Sequence, residues 1–213
     1  MPVEELNSVI DTYPGSFLRM WLKAKSLGNQ NSPDLLIGLL KQFQPKSILE
    51  IGCGFGLLSH YLSMQNPDAE VHGIDLDKKR IVAANESKRP QNLTFSHQNA
   101  LDLEDRSWDC VVMVDVLHHA GKQNQKTIIN KIFHLLKPGG RMVVREIEPG
   151  VSLIKYAHAH IFDWIFYWQR SDFMDVDHLK NLIKEAGFSN IEVHQNYPPS
   201  WAFPYVTYVA SKD

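Results

Sequence analysis

Three alternating glycines placed directly after a short apolar run constrain this chain more than any other feature. The stretch Ile48-Leu49-Glu50-Ile51-Gly52-Cys53-Gly54-Phe55-Gly56 passes from strand-like residues into Leu57 to Met64, whose apolar spacing is helical. Glycine has no Cβ, so such a turn takes positive φ and lets a ligand lie against the main chain. It does so at the N-terminus of a helix, where unpaired N–H groups point outward. The same turn also serves simply to pack a helix against its strand, so its neighbours decide between the two readings. The dinucleotide spacing G-x-G-x-x-G is not met, because its third glycine would fall on Leu57 while the glycine present is Gly56. No Lys-Ser or Lys-Thr pair of a phosphate-binding loop follows either. Glu50, a carboxylate just ahead of the glycines, suits a ligand carrying an ammonium and a sulfonium better than one carrying a pyrophosphate.

The turn sits in a regular alternation. Ser32 and Pro33 open a predicted helix over 32–43 as N-cap and first helical residue. Ser47 to Ile51 then reads as a strand, Leu57 to Met64 as a helix, Glu70 to Ile74 as a strand and Lys78 to Ser87 as a helix. Leu93 to His97 and Cys110 to Val114 are strands, Gln125 to Leu136 a helix, and Arg141 to Glu146 a strand. Strands alternating with helices need right-handed crossovers and give a parallel sheet covered on both faces. The end changes character: Asp177 to Ala186 is a helix closed by Gly187. Ile191 to Gln195 and Tyr205 to Ser211 then read as a hairpin joined through Pro198-Pro199. Apolar Leu6, Val9, Ile10, Phe17, Leu18, Met20, Trp21 and Leu22 predict one or two helices before residue 30, either core packing or a lid.

The strand ends carry polar side chains in a telling order. Asp75 ends the second strand, where its two oxygens suit both hydroxyls of a ribose, a position shared with dehydrogenases. Gln98-Asn99-Ala100-Leu101-Asp102 follows the third strand and puts a small polar side chain where an adenine edge would lie. Asp115 to His119 (Asp-Val-Leu-His-His) follows the fourth, and Pro138-Gly139-Gly140 precedes the fifth.

In this order of motifs the chain resembles the class I S-adenosylmethionine-dependent methyltransferases, in particular the broad group acting on small molecules, quinones and lipids. The resemblance runs from about Ser47 to Glu146 by motif and to Ser211 by the order of elements. It implies a Rossmann-like, mostly parallel seven-stranded α/β sheet with helices on both faces and a C-terminal antiparallel hairpin. It implies one domain over 1–213: N-terminal helices (1–45), a donor-binding core (46–146), an aromatic cap (151–175), and a last helix with the hairpin (176–213). S-adenosyl-L-methionine is the implied cofactor. Glu50, Gly52, Gly54 and Gly56 would cradle its methionine portion, Asp75 would hold the ribose, Asn99 with Ala100 would meet the adenine, and Cys53 and Leu76 would also belong to the cofactor site. Asp115 would lie beside the methionine end. The family often has Asp where this chain has Asn99, but an amide also accepts a hydrogen bond from the adenine amino group.

Methyl transfer asks a protein mainly for alignment and exclusion of water, with a base only where the acceptor requires one. His118 and His119 follow the fourth strand at the edge where open α/β sheets bind ligands, and either is a candidate base or a packing residue. Glu146, ending the fifth strand, has the same standing. His60, His72, His97 and His134 fall on the bodies of helices or strands and read as structural. The segment Val151 to Trp168 occupies the place of acceptor-specific insertions; if helical, it aligns Tyr156, His160, Asp163 and Tyr167 along one face. His160 is therefore a further catalytic candidate. Aromatic residues on both faces of that segment need a cover, which a substrate, a second copy in a homodimer or a membrane surface would each supply.

Composition narrows the partners. A net charge of -2 offers no broad positive field for a phosphate backbone, so nucleic acid is not expected. Cys53 and Cys110 sit in the turn and in a buried strand, which suggests neither a disulfide nor a metal site. The acidic start MPVEELNSVIDTYPG lacks a basic, apolar leader, and Lys155, His158, His160 and Asp163 interrupt the most apolar stretch, so no transmembrane segment and a cytoplasmic location are expected. The leading expectation is methylation of a small, apolar or aromatic acceptor. The alternatives are a protein or nucleic-acid methyltransferase, disfavoured by Asp115-Val116-Leu117-His118 where adenine-amino enzymes carry an Asn-Pro-Pro-Tyr-like sequence, and a non-catalytic binding module. Aminopropyl transfer shares the fold but wants acidic residues for a polycation that are not seen.

Overall fold

The computed structural model describes residues 3–28, 38, 40, 42–104, 107–148, 171–196 and 204–213. Their elements are α1 (Val3–Ile10), α2 (Ser16–Gly28), β1 (Ser47–Ile51), α3 (Leu57–Gln65), β2 (Glu70–Asp75), α4 (Lys78–Glu86) and β3 (Leu93–His97). They continue with β4 (Trp108–Val114), α5 (Lys122–Leu135), β5 (Leu136–Ile147), α6 (Val176–Glu185), β6 (Ser189–Asn196) and β7 (Tyr205–Ser211). Seven strands form one sheet in the order β3-β2-β1-β4-β5-β7-β6. The pairs β1 with β2, β2 with β3 and β4 with β5 are parallel, whereas β7 is antiparallel to both β5 and β6. The expected mostly parallel α/β sheet with a C-terminal antiparallel hairpin is therefore present.

Residues 1–102 and 103–213 form two compact units. In the first, Ile48, Leu49, Val71, Ile74 and Leu93 are buried strand residues, so the near-continuous apolar runs seen in sequence reflect strands buried on both faces. The N-terminal helices pack: Val9, Ile10, Tyr13 and Leu22 make a buried cluster with Leu18, Phe55 and Leu57 against it. Helix α4 starts because Asp77 accepts hydrogen bonds from the N–H groups of Lys79 (2.8 Å) and Arg80 (3.3 Å).

In the second unit β4 is apolar over Cys110–Val114 and β5 over Met142–Val144, and Asp175 caps α6 through the N–H of His178 at 2.8 Å. Here the structure extends one expectation. Pro138-Gly139-Gly140 does not precede β5 but lies within it, as an irregularity at which the register to β4 shifts between Trp108 and Cys110. The chain end holds this place, with Gly139 N–H donating to Lys212 O at 2.6 Å and Lys212 N–H to Gly140 O at 2.9 Å. A Cβ at Gly140 would stand 2.8 Å from Lys137 O, which explains the glycine. Ser32, Pro33, the aromatic segment with His160, and the Pro198-Pro199 connection lie outside the described residues. Among the described residues no helix is long and apolar enough to cross a membrane.

Candidate active site

The first unit builds a turn that is tied down from several directions. Gly52 N–H and Cys53 N–H both donate to Ile74 O, at 2.8 and 2.9 Å, so the turn leaves β1 anchored to the end of β2. Gly54 N–H donates to Asp75 Oδ2 at 2.8 Å, while Asp75 Oδ1 accepts from Asp77 N–H at 2.7 Å. Each carboxylate oxygen retains a second lone pair, so Asp75 can still receive a hydroxyl.

The glycines are not equivalent. Gly52, Gly54 and Gly56 all have positive φ, of 74°, 57° and 78°. Among the described residues a Cβ on Gly54 would meet nothing within 4 Å, whereas one on Gly56 would meet the Phe95 ring at 2.3 Å. Gly54 thus leaves open space over the main chain, and Gly56 makes room for a core ring.

Glu50 lies below this turn, 4% exposed, and accepts a hydrogen bond from the Ser59 hydroxyl near the start of α3. Gly73, directly across from Glu50 in β2, leaves the space that hydroxyl occupies: a Cβ there would lie 2.7 Å from Ser59 Oγ. Burial, opposed by the Ser59 hydroxyl and N–H and reinforced by the Asp75 charge, pushes the Glu50 carboxyl up to about 7. Burial also pushes up the Cys53 thiol, so that residue is no nucleophile.

The remaining residues of this set lie at the strand ends. Asn99 Oδ1 accepts from Leu101 N–H at 3.0 Å and starts the short turn Ala100–Asp102, with Ala100 buried and Leu76 69% exposed. His97 Nε2 lies 3.0 Å from Leu76 O.

His60 and His72 have structural surroundings. Ser87 donates its hydroxyl proton to Ala84 O (2.6 Å), so its oxygen accepts from His60 Nε2 at 2.8 Å. Burial, helped by Arg89, lowers His60 to about 4 and keeps it neutral. His72 spans Thr94 and Ser96 at 2.7 and 2.9 Å.

The second unit gathers Asp115, His118, His119 and Glu146. Glu146 is buried, and both of its oxygens are engaged. Oε1 accepts from the N–H groups of Leu117 (2.7 Å) and Val116 (3.2 Å), and Oε2 binds His118 Nδ1. Burial pushes this carboxyl up, but His118 and the two N–H groups outweigh it and hold Glu146 below the usual range. An ionised carboxylate only accepts, so the shared proton sits on His118 Nδ1.

The His118 ring lies between His119 and Phe173, with centroids 4.1 and 4.7 Å away. Its carbonyl accepts from Asp172 N–H at 2.8 Å, and Gln125 Nε2 donates to Asp172 O at 2.8 Å. His118 is buried; His119 is half-buried.

Asp115 has a φ of 56°, rare for a residue with a side chain, and its N–H donates to Arg145 O at 3.0 Å. Tyr205 OH lies 3.4 Å from Asp115 Oδ2, and the Arg145 guanidinium covers the Tyr205 ring at 3.6 Å. Sequence reasoning did not pick out Ser59, Phe173, Gln125, Arg145 or Tyr205. Of these only Ser59 left a trace, the glycine at Gly73 in a strand interior.

Residues 49–142 match the family model of a methyltransferase domain, and this segment holds the open glycine turn and Asp75. Over these residues the chain is similar to a methyltransferase domain. A ubiquinone biosynthesis O-methyltransferase of Cereibacter sphaeroides is 29% identical over 160 residues, 70% of this chain and 63% of that protein. Two solved structures share the fold. Human N-acetylserotonin methyltransferase in complex with SAM has a TM-score of 0.72 at 16% identity, covering 100% of this chain and 60% of that one. Magnesium protoporphyrin IX methyltransferase of Synechocystis with bound SAH has a TM-score of 0.70 at 19% identity, covering 93% and 89%. The chain spans about three fifths of the length of the first curated relatives it matches. The turn combines carboxylates at Glu50 and Asp75 with a Gly54 at which a built Cβ meets nothing within 4 Å among the described residues.

Proposed function

We propose that this chain is an S-adenosylmethionine-dependent methyltransferase, that it acts on a small acceptor with an apolar or aromatic body, and that the atom methylated is a hydroxyl oxygen. The observation that carries donor binding is the open face over Gly54, flanked by Asp75 and backed by Glu50. S-adenosylmethionine, when bound, supplies a methyl group made electrophilic by its sulfonium. Glu50 and the main chain of Gly52, Cys53 and Gly54 hold its methionine portion, Asp75 takes the ribose hydroxyls, and Leu76, Asn99 and Ala100 bound the adenine. Gly56 contributes indirectly, by letting Phe95 support the turn. Asp115 attends the methionine end and is oriented by Tyr205. The oxygen assignment draws on the printed names of relatives, among them the ubiquinone biosynthesis O-methyltransferase and O-methyltransferase cnsE of Penicillium expansum.

A hydroxyl acceptor must lose its proton, and an imidazole is suited to take it near neutral pH. We assign that role to His119, which is half-buried and whose ring meets that of His118 at 4.1 Å between centroids, tilted by 52°. His118 and Glu146 are positioning residues: the carboxylate fixes the His118 ring and the 116–117 backbone, and the His118 ring packs against His119. Tyr156, His160 and Tyr167 remain candidates for contact with the acceptor. The test is release of S-adenosylhomocysteine on a panel of catechols, phenols and aliphatic alcohols. Turnover confined to hydroxylated aromatics, with His119→Gln lowering kcat on the order of 100-fold and removing the rising limb of the pH profile, is the expected result. Turnover on amines or carbon acids only would overturn the oxygen assignment, and an unchanged pH profile would overturn His119.

A further inference from the structure

Tyr13, in the connection between α1 and α2, ranks among the largest fully buried side chains, at 1% exposure. Its hydroxyl donates to the carbonyl of Phe55 at 2.7 Å. Phe55 stands between two glycines of positive φ, Gly54 and Gly56, in the most pliable part of the glycine turn. The peptide that this carbonyl begins is held at its other end as well, since Gly56 N–H donates to Cys53 O at 2.8 Å. The phenol itself is well braced. Its ring meets His60 of α3 edge-on at 5.6 Å, its N–H donates to Ile10 O at 3.1 Å, and Arg19 Nη1 donates to its carbonyl at 2.9 Å. Around it Val9, Ile10 and Leu22 pack with Leu18, Phe55 and Leu57. Burial, with the nearby Glu50 and Cys53, pushes the phenol further above its ordinary range, so the group stays a proton donor at any working pH.

We propose that Tyr13 is a positioning residue for the donor site, through which the N-terminal helices hold the Phe55–Gly56 peptide in the orientation that keeps main chain exposed over Gly54. This inference rests on the assignment of that turn to S-adenosylmethionine. A glycine-flanked peptide without such a brace has several orientations of similar energy, and binding must then select one of them. The brace removes that selection cost before the ligand arrives.

The test is calorimetric titration of Tyr13→Phe and the parent chain with S-adenosylmethionine and, separately, S-adenosylhomocysteine. Tyr13→Phe removes one oxygen and leaves the ring packing in place. It should weaken both ligands on the order of 3- to 10-fold, the range of a single hydrogen bond. Hydrogen exchange of the unliganded variant should quicken over residues 52–58 while β2 exchanges as in the parent. Val9→Ala is the control: it thins the same cluster but removes no hydrogen bond to the turn, so it should lower the unfolding midpoint and leave both affinities within twofold of the parent. Parental affinity in Tyr13→Phe overturns the inference, and so does an equal loss in Val9→Ala, which would indicate general loosening. A parent chain that binds neither ligand overturns the donor assignment together with the inference, whereas a parent that binds and a variant that binds equally overturns the inference alone.

Discussion

Two buried glutamates, Glu50 in the first unit and Glu146 in the second, are moved in opposite directions by their surroundings. Their exposures are nearly the same, 4% and 5%, so burial does not separate them. What separates them is the partner set. Glu50 has a hydroxyl and an N–H from Ser59 and a second carboxylate, Asp75, nearby, and its carboxyl rises to about 7. Glu146 has an imidazole and two backbone N–H groups, and it falls below the usual range. The first carboxylate has no cation among the causes that set its titration, which suits the cationic donor proposed for it. The second is a charge fully used in holding a turn.

The comparison is broken most severely at Glu146. Glu146→Ala leaves His118 Nδ1 and the N–H groups of Leu117 and Val116 buried without their acceptor. Urea unfolding should show a loss on the order of 3 to 5 kcal/mol. A loss under about 1 kcal/mol would mean that the carboxylate is no staple.

Next in size is the pH dependence at Glu50. Its folded value lies above the unfolded one, so its contribution is complete below about pH 4.5 and is lost as pH rises through about 7. Glu50→Gln cannot ionise, so in the absence of ligand it should be more stable than the parent at pH 8, by roughly 3 kcal/mol, and should gain nothing at pH 4. Glu146 has the opposite sign: its contribution is present above the ordinary carboxylate range and is lost as pH falls below about 4.5. An advantage of Glu50→Gln that does not grow with pH would show that Glu50 finds a cation in the folded chain.

Asp75→Ala removes both the proposed ribose acceptor and the clamp on Gly54 N–H. Calorimetry should show donor affinity weaker by about 1.5 to 3 kcal/mol. Unchanged affinity would place the ribose elsewhere. The smallest change is Ser59→Ala, which removes one hydroxyl from Glu50. It should destabilise by about 1 kcal/mol and move the titration seen in the stability profile to higher pH, sharpening the contrast with Glu146.

Most of the fold was legible because its signals are local. The apolar runs of β1, β3 and β7 gave the observed limits, Ser47–Ile51, Leu93–His97 and Tyr205–Ser211, since each run is bounded by residues that do not continue a strand. Strands β2, β4 and β6 run one to three residues beyond the expected bounds, and β5 departs most, reaching back through Pro138-Gly139-Gly140 to where Lys212 supplies hydrogen bonds. The residues assigned to the donor were picked out by the order of motifs. The division of labour among them was not: Gly54 and Gly56 look alike in sequence, and only the position of Phe95, 39 residues beyond Gly56, tells them apart. Tyr13 stood in a segment read as core or lid, and its hydrogen bond to Phe55 spans 42 residues, beyond any local pattern. Glu146 read as a candidate base because a carboxylate at a strand end looks the same whether it faces a ligand or caps a turn.

The donor site itself is tested most directly by titrating the parent chain in a calorimeter with S-adenosylmethionine, S-adenosylhomocysteine and NAD. The account predicts saturable heat with the first two and none with NAD, because the glycine spacing lacks the pyrophosphate geometry and the carboxylates of Glu50 and Asp75 flank the turn. Saturable binding of NAD with no heat from S-adenosylmethionine would contradict it.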